Sequence, residues 1–169
     1  MIDDPAEETG VVAFDFDGTL TTRDSFTTFL KWRAGSARYA QGMRRLAPAA
    51  AVYLFHRNRG RLKAAAAREL VKGVPRERRA GDARASAATF APRLLRPDAL
   101  RTWRRWRERR ATLVIVTASP DLIVQPFARG LGADLLIGTR LAFDDQDRVT
   151  GAFDSRNCRG PEKVTRLQA

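Results

Sequence analysis

Residues 11–24 read VVAFDFDGTLTTRD. Two carboxylates, Asp15 and Asp17, stand one residue apart at the end of an apolar run, and Gly18-Thr19 follow them. On a strand, positions i and i+2 face the same side, so Asp15 and Asp17 are expected to crowd one site at its C-terminal end. Two neighbouring carboxylates withdrawn from water need a cation or a proton. A divalent cation such as Mg2+, which takes hard oxygen ligands, meets that need. Gly18 allows a sharp turn and a close approach of backbone to ligand. The combination fits a phosphoryl-transfer site. The competing reading is a plain Asp-Gly-Thr turn with a helix cap. A calcium loop fails, because counting from Asp15 puts its required glycine at Leu20 and its glutamate at Phe26.

The elements that must position these residues can be read from the same sequence. The continuous run Val11, Val12, Ala13, Phe14 predicts a buried strand over 10–16, and TLVIVTA predicts another over 112–118. Each runs into small polar residues and then a helical pattern, the layout of a parallel α/β sheet with ligands at the C-terminal strand ends. Between them, 24–110 is rich in Ala, Arg and Leu, all good helix formers. Breaks are expected at 34–36, near Pro48, at 58–60, at 73–75, and near Pro92 and Pro97. Leu100, Trp103 and Trp106 share one face of a helix beginning at Pro97-Asp98. A crossover needs only that one helix, so 24 to about 92 reads as an inserted helical cap. A further helix is expected from Ser119-Pro120 to Gly130 or Gly132, with proline at its first position. LLIGTRLAF, DDQDR and VTGAFD predict strand, turn and strand, and a last helix starts near Pro161.

Two more groups join the aspartates. Thr117 and the Ala118 N–H, at the end of the second strand and beside a helix start, can meet a phosphate; a plain helix cap by Ser119 is the competing reading. Lys163 sits at a helix start, where a cation opposes the helix dipole. It is the only Lys after Lys72, so it is expected to have another partner.

Composition narrows the classes. The 169 residues are 44% hydrophobic and 30% charged, which fits a folded globular protein. One cysteine, Cys158, and one histidine, His56, exclude an intrachain disulfide and Cys- or His-rich metal sites. The acidic N-terminus lacks the apolar core of a secretory signal, and no apolar run is long enough to span a membrane. Net charge is +12, and residues 31–110 hold 23 Lys+Arg against 5 Asp+Glu. That basic middle is either a solvated helical surface or a surface for phosphorylated substrates, anionic lipid or nucleic acid.

DFDGTLT (15–21), IVTASP (115–120) and NCRGPEKVTRL (157–167), in that order, resemble motifs I, II and III of the haloacid dehalogenase-like hydrolase superfamily. The helical insertion resembles the C1-capped, phosphoserine-phosphatase-like branch, subfamily IB. DxFxxFL (24–30), the ASP after motif II and NCxGxEK are most similar to bacterial members that include phosphatidylglycerophosphatase C. The resemblance implies an α/β fold: a Rossmann-like parallel sheet core over 10–23 and 93–169, with an inserted all-helical cap over 24–92. It implies Asp15 as nucleophile and Asp17 as general acid and base. Mg2+ would be held by the Asp15 carboxylate and the Asp17 main-chain carbonyl. Thr117, Lys163, Gly18 and Ala118 would bind phosphate, and Asp24 would contact substrate. A fourth, acidic motif beyond Lys163 is absent from the sequence, so the C-terminal part of the core is expected to be missing and the first strand to have an open edge.

The expected function is therefore a Mg2+-dependent phosphomonoesterase acting on a small or lipid-linked phosphate. It would be cytoplasmic, and in the lipid case peripheral to an anionic inner membrane through LAPAAAVYLF (46–55); the competing reading makes 46–55 an ordinary core helix of the cap. The alternative is a catalytically impaired remnant that binds anions. Nucleic acid is disfavoured, since no recognised binding motif is present. The sequence leaves the oligomeric state and the identity of the substrate open.

Overall fold

The computed structural model describes residues 10–47 and 59–168. The N-terminus, Pro48, most of the apolar stretch 46–55, and His56 lie outside the described residues. Strand β1 (Val11–Asp15) leads through a wide turn, Phe16–Leu20, to an insertion whose described residues form the helices α1 (Ser25–Ala34), α2 (Ser36–Arg45), α3 (Arg59–Val71) and α4 (Arg76–Leu94). Helix α5 (Pro97–Glu108) then feeds β2 (Thr112–Pro120), followed by α6 (Asp121–Leu131) and β3 (Leu135–Thr139). A hairpin of β4 (Leu141–Phe143) and β5 (Val149–Phe153) precedes α7 (Pro161–Leu167). The described sheet has the order β1-β2-β3, all parallel, with Asp15 opposite Val116. The protein is thus a parallel-sheet α/β core with a helical insertion after its first strand.

Strand β2 is the most deeply buried element because its two faces serve two clusters. Leu113 and Ile115 pack with Phe16, Leu20, Trp103, Val124 and Phe127, while Val114 and Val116 pack with Cys158. Trp103 anchors α5: its ring lies 5.0 Å from that of Phe14, and its indole N–H donates to the Leu131 carbonyl at 3.0 Å. Truncating a tryptophan buried in this way costs about 3–5 kcal/mol. A third cluster joins the insertion to the core, with Phe26, Phe29 and Leu70 packing against Ile123, Leu141 and Val149. The two crossings into the insertion are laced together: Thr22 N–H donates to Leu94 O at 2.8 Å and Arg96 N–H to Leu20 O at 2.9 Å.

Four expectations change. Strand β1 is not a buried strand; its residues alternate between exposed and half-buried, and Val11 is 65% exposed. The reason is its place at the edge of the described sheet, with one face toward Trp103 and the other uncovered among the described residues. Pro92 does not end its helix, which runs to Leu94. Pro92 and Ala88 are both exposed, so water can satisfy the carbonyl that proline's missing N–H leaves unpaired. The run LLIGTRLAF divides at Arg140 into β3 of the main sheet and β4 of the hairpin. Finally, β2 extends through Ser119 to Pro120, and α6 starts only at Asp121, because Pro120 is extended (φ −58°, ψ 126°) and bridges Thr139.

Candidate active site

Asp15 closes β1, and its Oδ1 accepts the Phe16 N–H at 2.8 Å. The backbone then turns at Gly18, whose φ of 82° only glycine adopts without strain. A Cβ added there would meet nothing within 4 Å, so the turn is open on that side. Thr21, fully buried, holds the turn: its hydroxyl accepts the Gly18 N–H at 3.3 Å and donates to the Arg23 carbonyl at 2.8 Å. The Gly18 N–H is thereby directed inward.

Lys163, on the first turn of α7, places Nζ 2.7 Å from Asp15 Oδ1. This is the partner its unfavourable place on the helix called for. Helix α7 has no buried residue, so polar contacts fix it. Arg166 donates to Glu162 at 2.9 Å, to the Gly138 carbonyl at 2.8 Å and to the Arg156 carbonyl at 2.6 Å. Thr139, at the end of β3, ties the preceding loop to β2; its hydroxyl accepts the Cys158 N–H at 3.1 Å and donates to Ala118 O at 3.0 Å.

Asp17 lies beyond β1 in the turn, with φ −73° and ψ 119°. It stands past the end of the strand, so the turn rather than strand alternation sets the direction of its carboxylate. Oδ1 accepts the Ser25 N–H at 2.7 Å, and Oδ2 accepts the Ser119 hydroxyl. Thr117 is fully buried, and its hydroxyl accepts the Ser119 N–H at 3.1 Å. Ala118 is half-buried beside it. Asp24 caps α1, accepting the Thr27 N–H at 2.7 Å.

The Asp15–Lys163 pair and the linked set Asp17, Ser119 and Thr117, with Ala118 between the last two, both lie at the C-terminal ends of the paired strands β1 and β2, and Asp24 stands at the start of α1. Ser119, Thr139 and Arg166 were not expected there. Ser119 reads as a helix cap from sequence, and the other two act through contacts between distant segments. The donor set suits a hard cation in part. The Asp15 carboxylate and the Asp17 main-chain carbonyl are oxygens of the kind Mg2+ takes alongside waters and a phosphate. No cluster of three or more His, Cys, Asp or Glu able to hold a metal occurs among the described residues.

The model of the haloacid dehalogenase-like hydrolase family matches residues 12–169. Protein CicA of Caulobacter vibrioides NA1000 / CB15N is 60% identical over 168 residues, which span 99% of this chain and 75% of that protein. A Bordetella pertussis Tohama I protein of unknown function has a similar structure, with a TM-score of 0.74 at 23% identity over 93% of this chain and 71% of that one. A substrate-bound phosphoserine phosphatase complex aligns with a TM-score of 0.57 at 19% identity, over 95% of this chain and 70% of that one. These structural likenesses establish a phosphoserine-phosphatase-like fold.

Proposed function

The chain belongs to the haloacid dehalogenase-like hydrolase family, and from that premise we propose that it is a Mg2+-dependent phosphomonoesterase that works through a phosphorylated Asp15. The observation that carries this reading is the 2.7 Å ion pair between Lys163 and Asp15 at the end of β1. A cation placed against a carboxylate at that point is equally placed for the phosphoryl oxygens arriving there.

In this mechanism an Asp15 oxygen attacks phosphorus while the bond from phosphorus to the ester oxygen breaks. Asp17, carrying a proton, gives it to the leaving alkoxide. As a carboxylate it then takes a proton from water, whose oxygen attacks phosphorus, releases inorganic phosphate and restores Asp15. Lys163, the Thr117 hydroxyl and the Ala118 N–H bind the phosphoryl oxygens, and Gly18 keeps the approach clear. Mg2+, bound by the Asp15 carboxylate and the Asp17 main-chain carbonyl, would offset the repulsion between nucleophile and phosphate. In this reading residues 24–92 are the cap that selects the leaving group, and Asp24, which also caps α1, is its contact on the substrate.

The likeness to phosphatidylglycerophosphatase C is part of the same proposal and points to a lipid-linked phosphate at an anionic membrane. The contact proposed is peripheral; among the described residues no helix is long and apolar enough to cross a membrane. Co-sedimentation with anionic vesicles at low salt tests it, and absence of binding removes the lipid reading. The activity itself is tested with p-nitrophenyl phosphate, with and without Mg2+, against Asp15→Asn. Turnover that needs both the metal and Asp15 supports the mechanism. Absence of turnover from a folded protein favours the anion-binding alternative.

A further inference from the structure

Ser119 is one of the most deeply enclosed polar residues of the protein, with no exposed surface. Its sequence position suggests a cap for the following helix, yet no side chain caps α6, which begins after Pro120. Its hydroxyl instead donates to Asp17 Oδ2, a residue 102 positions away in the chain. Its N–H donates to the Thr117 hydroxyl. The other Asp17 oxygen is held by a main-chain N–H, that of Ser25. The Ser25 hydroxyl is buried without a hydrogen-bond partner among the described residues, so it takes no part.

We propose that Ser119 is the positioning residue for Asp17, linking the general acid and base to the phosphate-binding end of β2. This rests on the reading of Asp17 given above. A hydroxyl suits the task because it donates a hydrogen bond to a carboxyl oxygen. Donation to Oδ2, together with the Ser25 N–H on Oδ1, fixes the plane of the Asp17 carboxyl and leaves its remaining lone pairs free to give and take the proton. The side chain thereby orients the carboxyl without competing for the proton that passes to the leaving group. The link to Thr117 fixes the Asp17 carboxyl relative to the phosphoryl group rather than to the protein at large.

The test is the dependence of kcat/KM on the leaving group, measured with a series of aryl phosphates from dinitrophenyl to phenyl, for the wild type, Ser119→Ala and Ser119→Thr. Aryl oxides of low basicity leave without help, while phenoxide needs a proton. Since a positioned general acid contributes 10²–10⁴-fold, Ser119→Ala is expected to lose about 30-fold or more with phenyl phosphate and under about 5-fold with the dinitrophenyl ester. Ser119→Thr, which keeps the hydroxyl, is expected to restore the wild-type slope. Equal losses across the series, or no loss, would overturn the proposal.

A double-mutant cycle keeps the test decisive if Ser119→Ala is unstable. In an Asp17→Asn background, Ser119→Ala or Ser119→Cys should have no further effect on kcat/KM for phenyl phosphate; an additive loss would show a merely structural role. Wild-type protein without turnover that depends on Asp15 would instead sink the phosphatase reading on which the proposal rests, a result distinct from a flat leaving-group series in an active enzyme.

Discussion

Lys163 Nζ and Asp15 Oδ1 stand 2.7 Å apart, joining the first strand to the last described helix. The pair is partly open to solvent, with the side chains 23% and 44% exposed. Such a pair contributes under about 1 kcal/mol to stability, so stability alone does not account for it, and the proposed mechanism makes a sharp prediction for its loss. Lys163→Met is expected to melt within a few degrees of the wild type while losing about 10²–10³ in kcat, the scale of a lost oxyanion donor. Lys163→Arg should not restore activity, because a planar guanidinium cannot replace a compact ammonium here. Steady-state kinetics and a melting curve check this. Near-normal kcat in Lys163→Met would be the contrary result.

Two glycines predict opposite kinds of damage. Gly18 has φ 82° and open space where a Cβ would stand, so Gly18→Ala pays only the left-handed backbone penalty, about 1–2 kcal/mol. Gly151 has φ 84°, and an added Cβ would lie 2.5 Å from the Arg68 Cα of α3. Gly151→Ala adds overpacking to the same penalty and should cost about 3 kcal/mol or more. Denaturant unfolding should rank Gly151→Ala well below Gly18→Ala in stability; the reverse order would contradict the packing of β5 on α3.

Arg79 is fully buried, its Nε lacks a hydrogen-bond partner among the described residues, and burial lowers its pKa to about 10. Asp82, its counterion at 3.5 Å, is also held by Arg33 at 2.6 Å. Arg79→Met therefore leaves Asp82 paired and should change stability by no more than about 1 kcal/mol, in either direction. Asp82→Ala leaves Arg79 buried without its counterion and should cost about 3 kcal/mol. Equal losses in the two variants, read by chemical denaturation, would refute this asymmetry.

Two carboxyls give opposite pH effects. The Arg96 guanidinium, hydrogen-bonded to Asp98 at 2.6 Å, lowers the Asp98 carboxyl to about 2. Its stabilisation is complete above the ordinary carboxylate range and is lost as the pH falls toward 2. Asp98→Asn should therefore remove part of the acid-induced fall in melting temperature. Burial pushes Asp121 up instead, so its ionised form weakens the fold and protonation relieves it. Asp121→Asn should melt above the wild type at pH 7 and converge with it in acid. A lower melting point at pH 7 would show that the charge is stabilising.

The local patterns were legible in the sequence. The turn at Asp15 to Gly18, the β2 run, the Trp103 face, the hairpin around DDQDR and the helix at Pro161 all rest on short-range chemistry. Lys163 was legible too, since its position conflicted with the helix it starts. What could not be read depends on long-range contacts. The exposure of β1 follows from the sheet order. The burial of Arg79 follows from α4 packing on α1, against the expectation that an Arg-rich helix stays solvated. The Ser119 contact required β2 to run two residues further than its apolar run, which Pro120 allows by bridging Thr139. Neither Arg166 nor Thr139 carries a local signal, because each bonds to carbonyls and loops that only the fold assembles.

The central claim is that Asp15 carries the phosphoryl group. The most direct measurement is to mix the protein with an aryl phosphate and Mg2+, quench in acid within the first turnover, reduce with borohydride and map the modified residue by peptide mass spectrometry. An acyl phosphate is reduced to an alcohol, so the account predicts reduction at Asp15, absent without substrate and absent in Asp15→Asn. Release of phosphate with Asp15 unmodified, or with the modification at another residue, would contradict it.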